Sequence, residues 1–214
     1  NIGFIQSHGG SSLAFELSDL YISLGYNISI INEIITTNLL SNFKIIFIGE
    51  DGYGWQNSEI TALKSFIEAG GTVVGIGDSS VSEAIELLGG YYDMSFTYMG
   101  GSSGETANFG DPTHPLLTNV NSLYFSGPAM NVELGGSSLA TPLVYDALNQ
   151  HLLVAAVDDG EGHFLVITDD FDSGISVYDN QQFLENIISW TPYEGHDLAG
   201  NLQIPDPLTI DMDY

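Results

Sequence analysis

The stretch TVVGIGDSS, residues 72–80, decides the fold. TVVGI has the composition of a buried strand, Gly-x-Gly closes it, and VSEAIELLGG (81–90) follows with helical spacing. A strand that bends sharply into a helix is where many α/β enzymes present a nucleophile. Here the bend reads Gly75, Ile76, Gly77, Asp78, Ser79. The two glycines are expected to accept a strained backbone that other residues resist. The carboxylate or hydroxyl after them is expected to cap the next helix.

Upstream of the bend, strand and helix patterns alternate. NIGFIQ (1–6), NISIIN (27–32) and FKIIFIGE (43–50) read as strands. The last is apolar throughout, as a central parallel strand should be. LAFELSDLYISLG (13–25) has helical spacing and stops at Gly25. Residues 34–41 read as a weak helix or turn. NSEITALKSFIEAGG (57–71) is a helix expected to start at an Asn57 or Ser58 cap and to end in Gly-Gly. This rhythm predicts an α/β protein with a doubly wound, mainly parallel, flavodoxin-like sheet and right-handed crossovers.

From 91 to 150 the rhythm breaks. Gly, Ser, Tyr, Asn and Pro dominate, and SLYFS and TPLVYDA are the short strand candidates. The segment is expected to be a β-rich, irregular insertion passing over one edge of the sheet. Two apolar runs around DDGEG in HLLVAAVDDGEGHFLVITDDF (151–171) predict a closing hairpin, and QQFLENIISW (181–190) a closing helix. Residues 1–192 thus form one domain. Residues 193–214, with Pro205 and Pro207, read as a tail or linker.

The chain of 214 residues has 28 acidic side chains against Lys44 and Lys64 alone, no Arg, and a net charge of -26. Nucleic acid is excluded as an expected partner, because neutralising phosphates takes Lys and Arg. An Arg clamp on an anion is excluded with it. Divalent cations or an acidic medium relieve the self-repulsion, which points to an extracellular or cell-surface setting. No apolar run approaches the roughly 18 residues of a membrane span. No leader is recognisable and Asn1 enters a strand at once, so the chain is expected to be a mature product or part of a larger protein. With no Cys, thiolate catalysis, disulfides and Cys-based zinc sites are ruled out.

Three stretches, SEITALKSFIEAGGTVVGIGD (58–78), THPLLTNV (113–120) and GEGHFLVITDD (160–170), together resemble the class I glutamine amidotransferase-like superfamily. The likeness is greater to its non-catalytic flavodoxin-like branches, including domains of unknown function and intraflagellar-transport-type members. It spans roughly residues 1–190 and rests on the order of the pieces. In catalytic relatives the bend carries Cys, and a His-Glu pair follows the last core strand. This chain has Gly77 at the bend, with Asp78 beside it, and Asp169 and Asp170 after the last strand. The resemblance therefore implies a pseudoenzyme: the framework without its nucleophile.

Ligands of open α/β sheets sit beyond the carboxyl ends of the strands. That rim is expected to carry Ser7 and His8, Glu50 and Asp51, Asp78 and Ser79, and Asp169 and Asp170. Several uses compete. A carboxylate pair serves glycosidic hydrolysis. No cofactor is expected; the alternative is calcium, which oxygen ligands such as Asp169, Asp170 and Asp172 suit, though neither DDGEGH (158–163) nor DDFDSG (169–174) fits an EF-hand. A catalytic triad would take Ser79, His8 and Asp169, with Ser79 displaced from the apex. The plainest use is capping and loop hydrogen bonding.

His114, before Pro115, is expected to be structural, and His151, His163 and His196 lack metal-ligand spacing. Asn27-Ile28-Ser29 is a glycosylation sequon at the entry to a strand expected to be buried. Tyr91, Tyr92 and Tyr98 suggest an aromatic cluster for a sugar or protein interface, or a cover for the insertion's own core.

The sequence as a whole points to a non-enzymatic module, assembling with itself or binding a protein or glycan neighbour. A hydrolase using the acidic rim and a calcium-stabilised structural domain are the alternatives.

Overall fold

The structure is a computed structural model that describes residues 1–8, 13–49, 54–77, 80–100, 103–127, 130–148, 150–159, 161–169 and 174–191. The first half runs β1 (Ile2–Ile5), α1 (Leu13–Ser23), β2 (Ile28–Ile31), α2 (Thr37–Leu40), β3 (Ile45–Ile48), α3 (Asn57–Glu68), β4 (Thr72–Ile76) and α4 (Glu83–Tyr91). Then come β5 (Met94–Tyr98), β6 (Gly104–Thr106), a 3-10 turn at Pro115–Leu117, β7 (Leu123–Phe125), β8 (Met130–Leu134) and β9 (Ala140–Tyr145). The hairpin β10 (Leu152–Asp159) and β11 (Gly162–Ile167) and the helix α5 (Asn180–Trp190) close the fold.

Seven strands form the central sheet in the order β2-β1-β3-β4-β11-β10-β9. All pairings from β2 to β11 are parallel, and β10 and β9 add antiparallel. The arrangement is the doubly wound, flavodoxin-like α/β architecture the alternation predicts. Each face buries its own core. Leu17, Tyr21, Phe183, Leu184 and Ile187 of α1 and α5 cover Phe4, Phe47, Val74 and Leu165. Ile60, Leu63 and Phe66 of α3 and Ile85 and Leu88 of α4 cover Ile46, Val73 and Val166 on the other side. Each such side chain contributes about 1.5–3 kcal/mol, which is why neither layer can be shed.

Helix ends follow local chemistry. Gly25 adopts φ +88° after α1, where its N–H donates to Ile22 O and the Tyr26 N–H returns to Tyr21 O. The start of α3 differs from the expected Asn57 or Ser58 cap. Gln56 is the cap, because Glu59 reaches back to its N–H at 3.0 Å.

The insertion occupies one edge of the sheet, through β9, and also reaches both faces. The β5–β8 pair packs Met94 and Val132 into the α3/α4 side. The β6–β7 pair packs Leu123 and Phe125 into the α1/α5 side. Between them β9 joins the central sheet itself. Apolar alternation in such short strands does not say which sheet receives them, so the sequence could not show this clasp.

The strand NISIIN was expected to be buried. As β2 it is an edge strand, and Asn27, Ser29 and Ile30 are exposed. The sequon is therefore on the surface. The tyrosines do not form one cluster either. Tyr92 is buried in the core with its hydroxyl donating to Asp159 Oδ2 (3.0 Å), whereas Tyr91 and Tyr98 are exposed.

Candidate functional site at the carboxyl ends of the strands

Parallel strands put the residues after β1, β3, β4 and β11 on one rim. Of the residues expected there, Ser7, His8 and Asp169 are described; Glu50, Asp51, Asp78, Ser79, Asp170 and Asp172 lie outside the described residues.

Among the described residues, His8 meets an acid the sequence did not single out. Its Nε2 lies 3.0 Å from Glu59 Oε1, and its ring stacks on Trp55 at 4.1 Å between centroids. Glu59, in the first turn of α3, is fully buried. Its carboxylate also accepts the N–H of Ile35 (2.9 Å) and of Gln56 (3.0 Å). Burial pushes the Glu59 pKa up, but these two backbone donors and His8 outweigh it and hold the pKa below the ordinary value. An ionised Glu59 only accepts, so His8 carries its proton on Nε2. Beside this group, the N–H groups of Gly54 and Trp55 donate to Glu83 Oε2 (3.0 and 3.2 Å), tying the start of α3 to α4.

Of the expected triad, His8 and Asp169 are described, and Ser79 lies outside the described residues. Asp169 is fully buried at the end of β11 and accepts the Ser126 N–H at 2.6 Å. Strands β1 and β11 have β3 and β4 between them, so His8 and Asp169 leave the sheet about 14 Å apart at the usual 4.8 Å strand spacing. Asp169 therefore ties the insertion to the last strand and does not orient His8.

The glycines of the bend are needed for space, not for strain. Neither Gly75 nor Gly77 has a left-handed φ. A Cβ on Gly77 would lie 2.3 Å from the Ser80 carbonyl oxygen, and one on Gly75 would lie 2.8 Å from Ile85 Cγ1. Position 77 thus has no room for a side chain of any kind. Two buried polar atoms near the rim, Ser7 Oγ and Trp55 Nε1, have no hydrogen-bond partner among the described residues.

The remaining histidines lie away from the rim. His163 begins β11, opposite Thr72 at the start of β4, and stacks on Trp190 at 4.0 Å. Its Nδ1 lies 2.6 Å from Asp158 Oδ1, off the line of a hydrogen bond. His114 meets the same Trp190 edge-on at 5.4 Å, and its Nδ1 accepts the Leu116 N–H. Burial lowers the pKa of both, against the pull of Asp158 on each. His151 closes a loop on Asp146 at 2.8 Å, and His196 is outside the described residues. Among the described residues no three His, Asp or Glu side chains are grouped to hold a metal ion, and no helix is long and apolar enough to cross a membrane.

Glu59 and Trp55 were not singled out in the sequence. The one available signal was a glutamate three residues after Gln56, the second half of a capping box.

No family model and no curated protein matches this sequence. Solved structures do. The mmIFT52 N-terminal domain superposes with a TM-score of 0.74 at 11% identity, over 91% of this chain and 99% of that one. A putative ThuA-like protein from Bacteroides uniformis gives 0.62 at 15% identity, over 89% of each chain. The exo-β-1,4-mannosidase Op5Man5 from an Opitutaceae bacterium gives 0.53 at 16% identity, over 89% of this chain but 35% of that one. These are likenesses of fold. They show the fold alone, a flavodoxin-like α/β sheet.

Proposed function

We propose that this chain is a non-catalytic member of the amidotransferase-like fold, a module whose strand-end rim holds a protein or glycan partner. The observation that carries this reading is Gly77. Nucleophilic catalysis needs a side chain at the bend with a base in hydrogen-bond reach. Position 77 is too close-packed for one, because the Ser80 carbonyl oxygen would lie 2.3 Å from its Cβ. The imidazole on the rim, His8, donates a hydrogen bond from Nε2 to buried Glu59. What the rim retains is suited to binding: the hydroxyl of Ser7 and the indole N–H of Trp55, both unmatched among the described residues. The likeness to a domain of IFT52 over nearly the whole chain supports a module of a larger protein. The charge of -26 favours a partner that brings cations, and an extracellular or cell-surface setting.

The purified chain is expected to release no product from glutamine, p-nitrophenyl esters or p-nitrophenyl glycosides between pH 5 and 8. Turnover that disappears in Ser79→Ala or His8→Gln would overturn the reading and restore the hydrolase.

A further inference from the structure

The two edges of the central sheet are treated differently. The outer edge of β9 is closed: Gly110 N–H donates to Leu143 O, Tyr145 N–H donates to Asn108 O, and Phe109 bridges to Val144. Pro142 and register shifts against β10 blunt it further. Among the described residues the β2 edge has none of these devices. The N–H groups of Ile2 and Gln6 donate to the carbonyls of Asn27 and Ile31, which turns the odd-numbered residues of β2 toward β1. The N–H and C=O of Ile28 and Ile30 therefore face outward, and no strand pairs with them among the described residues. Around this edge Ile22 (56%), Leu24 (42%), Tyr26 (39%), Ile30 (43%) and Ile34 (61%) are exposed.

We propose that the β2 edge is the contact between two copies of this chain, paired antiparallel across a two-fold axis at Ser29. Charge selects the occupant. Residues 20–32 carry no charged side chain, although the chain bears a net charge of -26. Two copies repel wherever their acidic surfaces meet, and this stretch brings them together without apposing carboxylates. A basic partner would find no counter-charge here. The register closes on itself: Ile28 of each copy lies opposite Ile30 of the other and exchanges both backbone hydrogen bonds. Glu33 then falls opposite Gly25 of the second copy, not opposite another acid. The exposed side chains around α1 and β2 supply the apolar contact that four backbone bonds alone do not. This inference is independent of whether the rim is catalytic.

Sedimentation equilibrium of the full chain tests it. The expected mass at micromolar concentration is twice the 23.0 kDa of one chain. Ile30→Lys puts a cation at both symmetry-related positions and is expected to weaken the dimer about 100-fold. Leu148→Lys, an exposed position elsewhere, is expected to leave it intact. Circular dichroism confirms that each variant is folded. In the unsubstituted chain, the amides of Ile28 and Ile30 are expected to lose exchange protection on dilution, a readout that needs no variant. A monomer at 100 µM, a dimer unaffected by Ile30→Lys, or unprotected amides at Ile28 and Ile30 would each overturn the proposal.

Discussion

An imidazole, an indole and a carboxylate meet at both ends of the sheet. At the carboxyl end His8 lies on Trp55 and against Glu59; at the amino end His163 lies on Trp190 and against Asp158. The stacking distances are nearly equal, 4.1 and 4.0 Å, so ring packing does not distinguish them. The acids do. Glu59 has no exposed surface and receives two backbone N–H groups as well as the imidazole, whereas the Asp158 side chain is 59% exposed. At one end a buried carboxylate is held charged by fixed donors. At the other a solvated carboxylate screens weakly, and burial drives the histidine toward its neutral form. An acid beside a histidine is a structural clamp or a loose contact according to what else donates to the acid.

Removing the acids tests this most strongly. Glu59→Ala orphans the Ile35 and Gln56 N–H groups and is expected to cost about 3–5 kcal/mol in urea unfolding. A cost below about 1 kcal/mol would erase the distinction between the two ends. Next in size is Trp190→Ala, which removes the ring that both His163 and His114 pack against. Its expected cost is about 3 kcal/mol. The imidazole proton shifts should then show the His163 pKa rising toward the ordinary value, because the burial that depresses it is gone.

The pH dependence is a smaller effect with a definite sign. His114 and His163 have folded pKa values below the ordinary 6.5, so the unfolded chain binds more protons as pH drops through that value. Their neutral forms favour the folded state above pH 6.5, and that contribution fades as pH falls toward the folded pKa values. The double variant His114→Gln, His163→Gln should therefore change its unfolding midpoint less between pH 7 and 5 than the unsubstituted chain; parallel curves would refute this. Glu59 contributes in a lower window, from its ordinary 4.5 downward, as protonation removes the clamp. The smallest effect is Asp158→Asn. It is expected to cost under about 1 kcal/mol and to lower the His163 pKa further, since Asp158 raises it.

Much of the framework was legible in order. The apolar strands, the glycine after α1, the Gly-x-Gly bend and the closing hairpin each have a local physical cause, and each was found where its pattern pointed. The misreadings share another cause. The NISIIN strand looked buried because three isoleucines do not reveal whether a strand lies at the centre or the edge. The bend glycines suggested strained torsions, whereas Ser80 and Ile85 pressing from the next segment are what require them. His8 was read with Asp169 because both follow strands, but strand order separates them by two further strands.

The sequence by itself determined the alternation of strands and helices, the charge of -26, the absence of any thiol and the Gly-x-Gly at the bend, because composition and short-range periodicity are properties of neighbouring residues. Only the tertiary structure decided that Glu59 is a partner of His8, that His114 and His163 share Trp190, and that β2 is an outer strand of the sheet. Those facts depend on contacts between residues tens of positions apart, and strand order and burial, which no local pattern encodes, set them.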